Sequence, residues 1–91
     1  MSSPRRRADV ILEDVPGTGE AVLLDPVSGR VLALNAMGAA VWDLLDGELD
    51  ASQIASALAA AAGVERAQAD ADVRTLLAEL EREGFLGAPR P

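Results

Sequence analysis

The periodicity of this chain changes once, at Asn35, and that change fixes the kind of fold open to it. Before Asn35, short apolar runs alternate with turns rich in Pro and Gly; after it, apolar residues recur at helical spacing. An apolar run over residues 8–12 is broken by Pro16-Gly17-Thr18-Gly19, and an extended pattern resumes from Glu20 to Asp25. These read as two strands around a turn. Asp25-Pro26-Val27-Ser28-Gly29 carries the chemistry of a second turn, in which Pro26 fixes φ at a corner and Gly29 is free to take φ > 0. In the arm that follows, residues 30–34, the alternation points Leu32 and Leu34 toward the core.

Asn35 has the short polar side chain of a helix N-cap, and Met37, Val41, Leu44 and Leu45 follow at helical spacing with Trp42 beside them. A first helix over residues 36–45 is predicted, ended by Asp46-Gly47. Asp50 with Gln53 forms an acidic capping box for a second helix, with Ile54, Leu58 and Ala61 inside and Gly63 at its close. A third helix runs from about Arg66 to Glu83 on a stripe of Ala69, Val73, Leu76, Leu77 and Leu80. Gly84 stops it in a left-handed conformation, and Phe85 folds back onto Leu80. The expectation is an α+β domain: a three-stranded antiparallel sheet followed by three helices, winged-helix-like, over residues 8–86. The basic N-terminus, residues 1–7, and the tail, residues 87–91, are expected to be disordered.

Trp42 and Phe85 are the sole aromatic residues, so the core is aliphatic and modest, with a stability of roughly 5–9 kcal/mol. The chain has no His, Cys, Lys or Tyr, which removes the usual general bases, nucleophiles and thiolate ligands. Its acids do not make up the loss. Asp70 and Asp72, like Glu79 and Glu81, stand two apart on a helix and diverge, while Glu79 and Glu83 share a face but lack a His partner for a metal. Gly17-Thr18-Gly19 is followed by neither a Lys nor a helix start and so is a turn, not a phosphate loop. No catalytic, metal or cofactor site is expected; binding is.

Within residues 8–86 there are 4 Arg against 15 acids, a balance of −11, which repels nucleic-acid backbones. A winged-helix nucleic-acid binder would need cations on a recognition helix, yet residues 51–62 carry no charge and residues 65–83 have 3 Arg against 6 acids. A further alternative is a structural subunit whose acidic helices dock on an enzyme. No apolar run approaches the roughly 20 residues of a membrane span, and residues 1–7 are followed by acids rather than by a signal-peptide core. A cytoplasmic protein without membrane contact is expected.

Residues 21–25, Ser28-Gly29-Arg30, Leu34-Asn35, Gly38 and residues 41–47 occur in an order and spacing that resembles the PqqD family. Ile54, Leu58, Gly63-Val64, Asp72-Val73, Leu76-Leu77, Leu80 and residues 84–86 continue the likeness, which covers about residues 20–86. The resemblance implies a domain that performs no chemistry itself but binds the leader segment of a ribosomally made precursor peptide. The leader would add to the edge of the third strand and lie against the third helix. It would be presented to a modifying enzyme, such as a radical S-adenosylmethionine protein or a leader peptidase. The residues this implicates are Arg30, Val31, Leu32, Ala33 and Leu34 on the strand, and Asp72, Val73, Leu76, Leu77 and Leu80 on the helix. Asp72 would meet a basic leader residue, and a Pro at Leu32 would cripple strand addition by removing a donor. Two departures from the family pattern stand out. Val31 and Ala33 replace the aromatic residues of many members, which makes for a shallower pocket, and Glu65 stands where a short polar cap commonly opens the third helix.

Overall fold

The computed structural model describes residues 3–87. Its elements are β1 (Ile11–Asp14), β2 (Ala21–Leu24), β3 (Val31–Leu34), α1 (Ala36–Asp43), α2 (Ala51–Ala62) and α3 (Arg66–Arg82). The strands form one antiparallel sheet in the order β1-β2-β3, with Leu23 opposite Leu12 on one side and Leu32 on the other. The three helices cover one face, which is the expected α+β arrangement. The first strand starts three residues later than the apolar run at residues 8–12 suggests. Residues 8–9 form a turn in which the Val10 N–H donates to the Arg7 carbonyl, and the strand begins only beyond it.

Alternation along the strands sorts their side chains between two faces. Ala21, Leu23 and Leu34 are buried against the helices and Leu32 is half-buried, while Val22, Leu24, Val31 and Ala33 occupy the other face. Val41, Trp42 and Leu45 meet this inner face together with Ile54, Ala55 and Leu58 of α2 and Ala69, Val73 and Leu80 of α3. Trp42 is core rather than surface, at 3% exposure. On α2 the inner face differs from the expected one, because Ala55 is buried and Ala61 is exposed. Ala55 follows Ile54 and lies three residues before Leu58, so it shares their buried face.

Each helix boundary has a local cause. The Asn35 Oδ1 accepts from the Gly38 N–H at 2.8 Å, and Asp50 and Gln53 exchange hydrogen bonds of 2.8 and 2.9 Å as a complete capping box. Replacing such a cap with Ala costs about 1 kcal/mol. At the end of α3, Gly84 takes φ +83°, the Phe85 N–H donates to the Leu80 carbonyl at 2.9 Å, and the Gly84 N–H donates to Glu81 at 3.1 Å. That is the Schellman pattern, and it turns Phe85 fully into the core. Glu65 opens α3 without a side-chain cap.

Arg5, Arg6 and Arg7, within the basic segment expected to be disordered, make backbone contacts in the structure. Arg5 bridges to Asp46 and Arg6 to Leu86, and the Arg6 and Arg7 N–H groups donate to the Leu45 and Phe85 carbonyls. The Arg6 side chain donates to the Trp42 and Asp43 carbonyls at 3.1 and 3.2 Å, at the C-terminal end of α1. The Gly87 N–H donates to the Arg5 carbonyl; residues 1–2 and 88–91 lie outside the described residues.

Candidate functional site

Among the described residues β3 has a partner only on its β2 side, so its outer backbone groups face open space. Which groups these are follows from the ladder. The Asp25 N–H donates to the Arg30 carbonyl at 2.9 Å, and the register continues through Leu23 opposite Leu32 and Ala21 opposite Leu34. In an antiparallel pair alternate residues turn their backbone groups toward the partner. Leu32 and Leu34 therefore bond to β2, while Val31 and Ala33 present N–H and C=O to the free edge. This corrects the expectation for Pro at Leu32: it would break the β2 ladder rather than block the edge, and Ala33 is the blocking position.

Beside this edge lies a groove of about 390 Å³. Ala33, Leu34 and Asn35 form one wall, Asp72, Thr75, Leu76 and Glu79 of α3 the other, and Met37, Gly38 and Val41 of α1 the floor. The cap at Asn35 explains the floor, since it starts α1 directly after the strand and sets its first two turns beneath the opening. Gly38 keeps that floor low. A Cβ there would lie 3.3 Å from Asn35 Oδ1 and 3.4 Å from Leu34 side-chain atoms, so any larger side chain has to rise into the groove or displace the cap.

Four of the ten residues implicated by sequence line this groove: Ala33, Leu34, Asp72 and Leu76. Val31 belongs to the edge through its backbone, while its side chain is 62% exposed on the outer sheet face. Leu32 bonds inward. Val73 and Leu80, at 1% and 0% exposure, are core residues that lie outside the groove lining. Leu77 is half-buried and packs against the core. Arg30 is engaged elsewhere: its guanidinium donates to the Glu83 carboxylate at 3.3 Å and ties the start of β3 to the end of α3. Asn35, Met37, Gly38, Val41, Thr75 and Glu79 were missed. The signal for Thr75 and Glu79 was present in their spacing from Asp72 and Leu76 on one helix face; the floor required knowing where α1 sits.

The turn that delivers the chain into β3 is fixed by Asp25, which is 4% exposed. Its carboxylate accepts from Arg7 at 2.9 Å, from the Val27 N–H at 2.9 Å and from the Ser28 hydroxyl at 2.9 Å. Arg7 above all, then the backbone donor, hold the Asp25 carboxyl well below the usual carboxylate range. Arg7 also pairs with Asp9 at 2.6 Å and lowers that carboxyl too, while the two acids raise the guanidinium above its ordinary value. Arg7 thus joins turn, N-terminus and, through the Gly84 carbonyl at 2.9 Å, the end of α3.

The groove offers backbone donors and acceptors along one side, an apolar floor and carboxylates on the opposite rim. Such a surface can hold an extended peptide segment, with hydrogen bonds supplied by the edge and selectivity by the pockets. Among the described residues no three His, Cys, Asp or Glu side chains gather as a metal cage.

Fold and site together define a small winged-helix-like domain with an open sheet edge running beside a helix-walled groove. The chain belongs to the PqqD family: the model described as coenzyme PQQ synthesis protein D (PqqD) matches residues 20–86. It is similar to the solved structure of TbiB1 in complex with the TbiA(beta) leader peptide, with 25% identity and a TM-score of 0.77 over 96% of this chain and 99% of that one. A lasso peptide synthetase B1 complexed with its leader peptide aligns at 26% identity and TM-score 0.76, over 93% and 98% of the two chains. The PqqD truncation of Methylobacterium extorquens PqqCD, a stand-alone recognition element for ribosomally synthesized and post-translationally modified peptides, aligns at 32% identity and TM-score 0.75, over 92% and 87%. The heterocyclase TruD shares the fold at 17% identity and TM-score 0.65, this domain matching 11% of that chain. A search of curated proteins finds no match.

Proposed function

We propose that this domain binds the leader segment of a ribosomally made precursor peptide by adding it as a strand to the edge of β3, and presents it to a modifying enzyme. One observation carries the proposal: the outward backbone groups of Val31 and Ala33 run beside a groove floored by Met37, Gly38 and Val41. Two of its structural relatives are complexes with leader peptides, which supports the same ligand class here. The domain takes no part in the chemistry. A radical S-adenosylmethionine maturase or a leader peptidase is the receiving enzyme, and a role beside newly made precursors is a cytoplasmic one.

The test is a titration with the leader of a short precursor encoded next to this gene. The wild-type chain should bind it, and Ala33→Pro should weaken binding at least tenfold with an unchanged far-ultraviolet spectrum, because only the outer donor is lost. Equal binding by both forms would contradict strand addition, and binding by neither would favour a subunit that docks on the enzyme without touching the leader.

A further inference from the structure

The α3 wall of the groove has a charge that no cation among the described residues answers. Asp72 and Glu79 both line the groove and stand seven residues apart, two helical turns on one face, with their backbones roughly 10 Å apart along the axis. Every ion pair among the described residues lies elsewhere: Arg7 serves Asp9 and Asp25, Arg30 serves Glu83, and Arg66 and Arg74 both serve Asp70. Among the described residues, Asp72 receives a single hydrogen bond, from the neutral Gln68 amide at 3.0 Å. Between the two acids, Thr75 adds a hydroxyl and Leu76 an apolar surface facing Met37 and Val41 across the groove. The opposite wall, from Ala33 to Asn35, holds no charge.

We infer that, within the leader-binding reading, this groove selects a segment bearing Lys or Arg on both sides of an apolar residue. The apolar side chain sits over Leu76, Met37 and Val41, while the cations reach Asp72 and Glu79. Residues two or four apart on an added strand share a face and stand roughly 7 or 13 Å apart, a range that brackets the separation of the two acids and that long basic side chains span. An acidic leader residue at either place would meet an uncompensated like charge.

The experiment is a display selection of random twelve-residue peptides on four forms of the full chain: wild type, Asp72→Asn with Glu79→Gln, Glu13→Gln with Glu48→Gln, and Ala33→Pro. Glu13 and Glu48 are exposed and off the groove, so their removal gives the same net charge without touching the wall. Wild type and the Glu13/Glu48 form should enrich peptides with paired basic residues, and the Asp72/Glu79 form should still enrich peptides but without that preference. Measured on one selected peptide, affinity should fall roughly two- to fivefold for each wall carboxylate removed. Binders with no basic preference, or a preference lost equally in the Glu13/Glu48 form, would overturn this inference and leave strand addition standing. Failure to select any binder, or binders indifferent to Ala33→Pro, would bring down the leader-binding reading itself.

Discussion

Asp25 shows how one residue can set a site without touching it. Its carboxylate organises the turn before β3 and its charge is met by Arg7, from 18 positions earlier. The turn was legible in Asp25-Pro26-Val27-Ser28-Gly29; the cation was not, because an ion pair across that distance leaves no period in the sequence. The pair also has a pH signature. In the unfolded chain Asp25 takes up a proton near pH 4, whereas in the folded chain it stays ionised to lower pH. Between those values the unfolded state binds more protons, so the contribution is complete at neutral pH and is lost as pH falls from about 4. Asp25→Asn should therefore lower the melting temperature at pH 7, with the gap to wild type closing on acidification. Parallel thermal melts at pH 7, 4 and 2.5 would check this, and a gap independent of pH would contradict it. Phe85 makes the complementary case in the core. Phe85→Ala should cost about 3–5 kcal/mol, and a melting temperature lowered by at least roughly 12 °C is the expected reading.

At the scale of elements, the helix starts and stops were readable because Asn35, Asp50, Gln53 and Gly84 each act through local hydrogen bonds. The role of each residue along α3 was not. A stripe of Ala69, Val73, Leu76, Leu77 and Leu80 is wider than the core needs, and only tertiary packing, chiefly against α2, decides that Val73 and Leu80 go inside while Leu76 faces the groove. This division is measurable with two substitutions on the same helix. Leu80→Ala should destabilise the fold by about 2–5 kcal/mol. Leu76→Ala should weaken leader binding with a much smaller loss of stability, as read by denaturant melts and peptide titration side by side. Leu32→Pro and Ala33→Pro divide β3 in the same way, the first disrupting the sheet and the second only its outer edge.

For the whole molecule, the chain's low aromatic content and missing His, Cys, Lys and Tyr pointed to binding over chemistry, and the fold supplies a surface suited to binding. Residues 5–7 form a clasp. Arg5, Arg6 and Arg7 join the segment after α1 to the segment after α3, and Gly47 makes room for it, since a Cβ there would lie 2.7 Å from the Arg5 guanidinium. The groove is a whole-molecule feature too, drawing its walls from β3 and α3 and its floor from α1, elements separated by up to 46 positions from Ala33 to Glu79. Sequence pattern reached the two walls but not the floor. The central claim, that a leader peptide extends the sheet at β3, predicts an alternating response in backbone amide exchange. On saturation with leader, the Val31 and Ala33 amides should slow sharply while Leu32 and Leu34, already bonded to β2, change little. Leader binding that leaves Val31 and Ala33 exchanging as fast as in the free domain would contradict it.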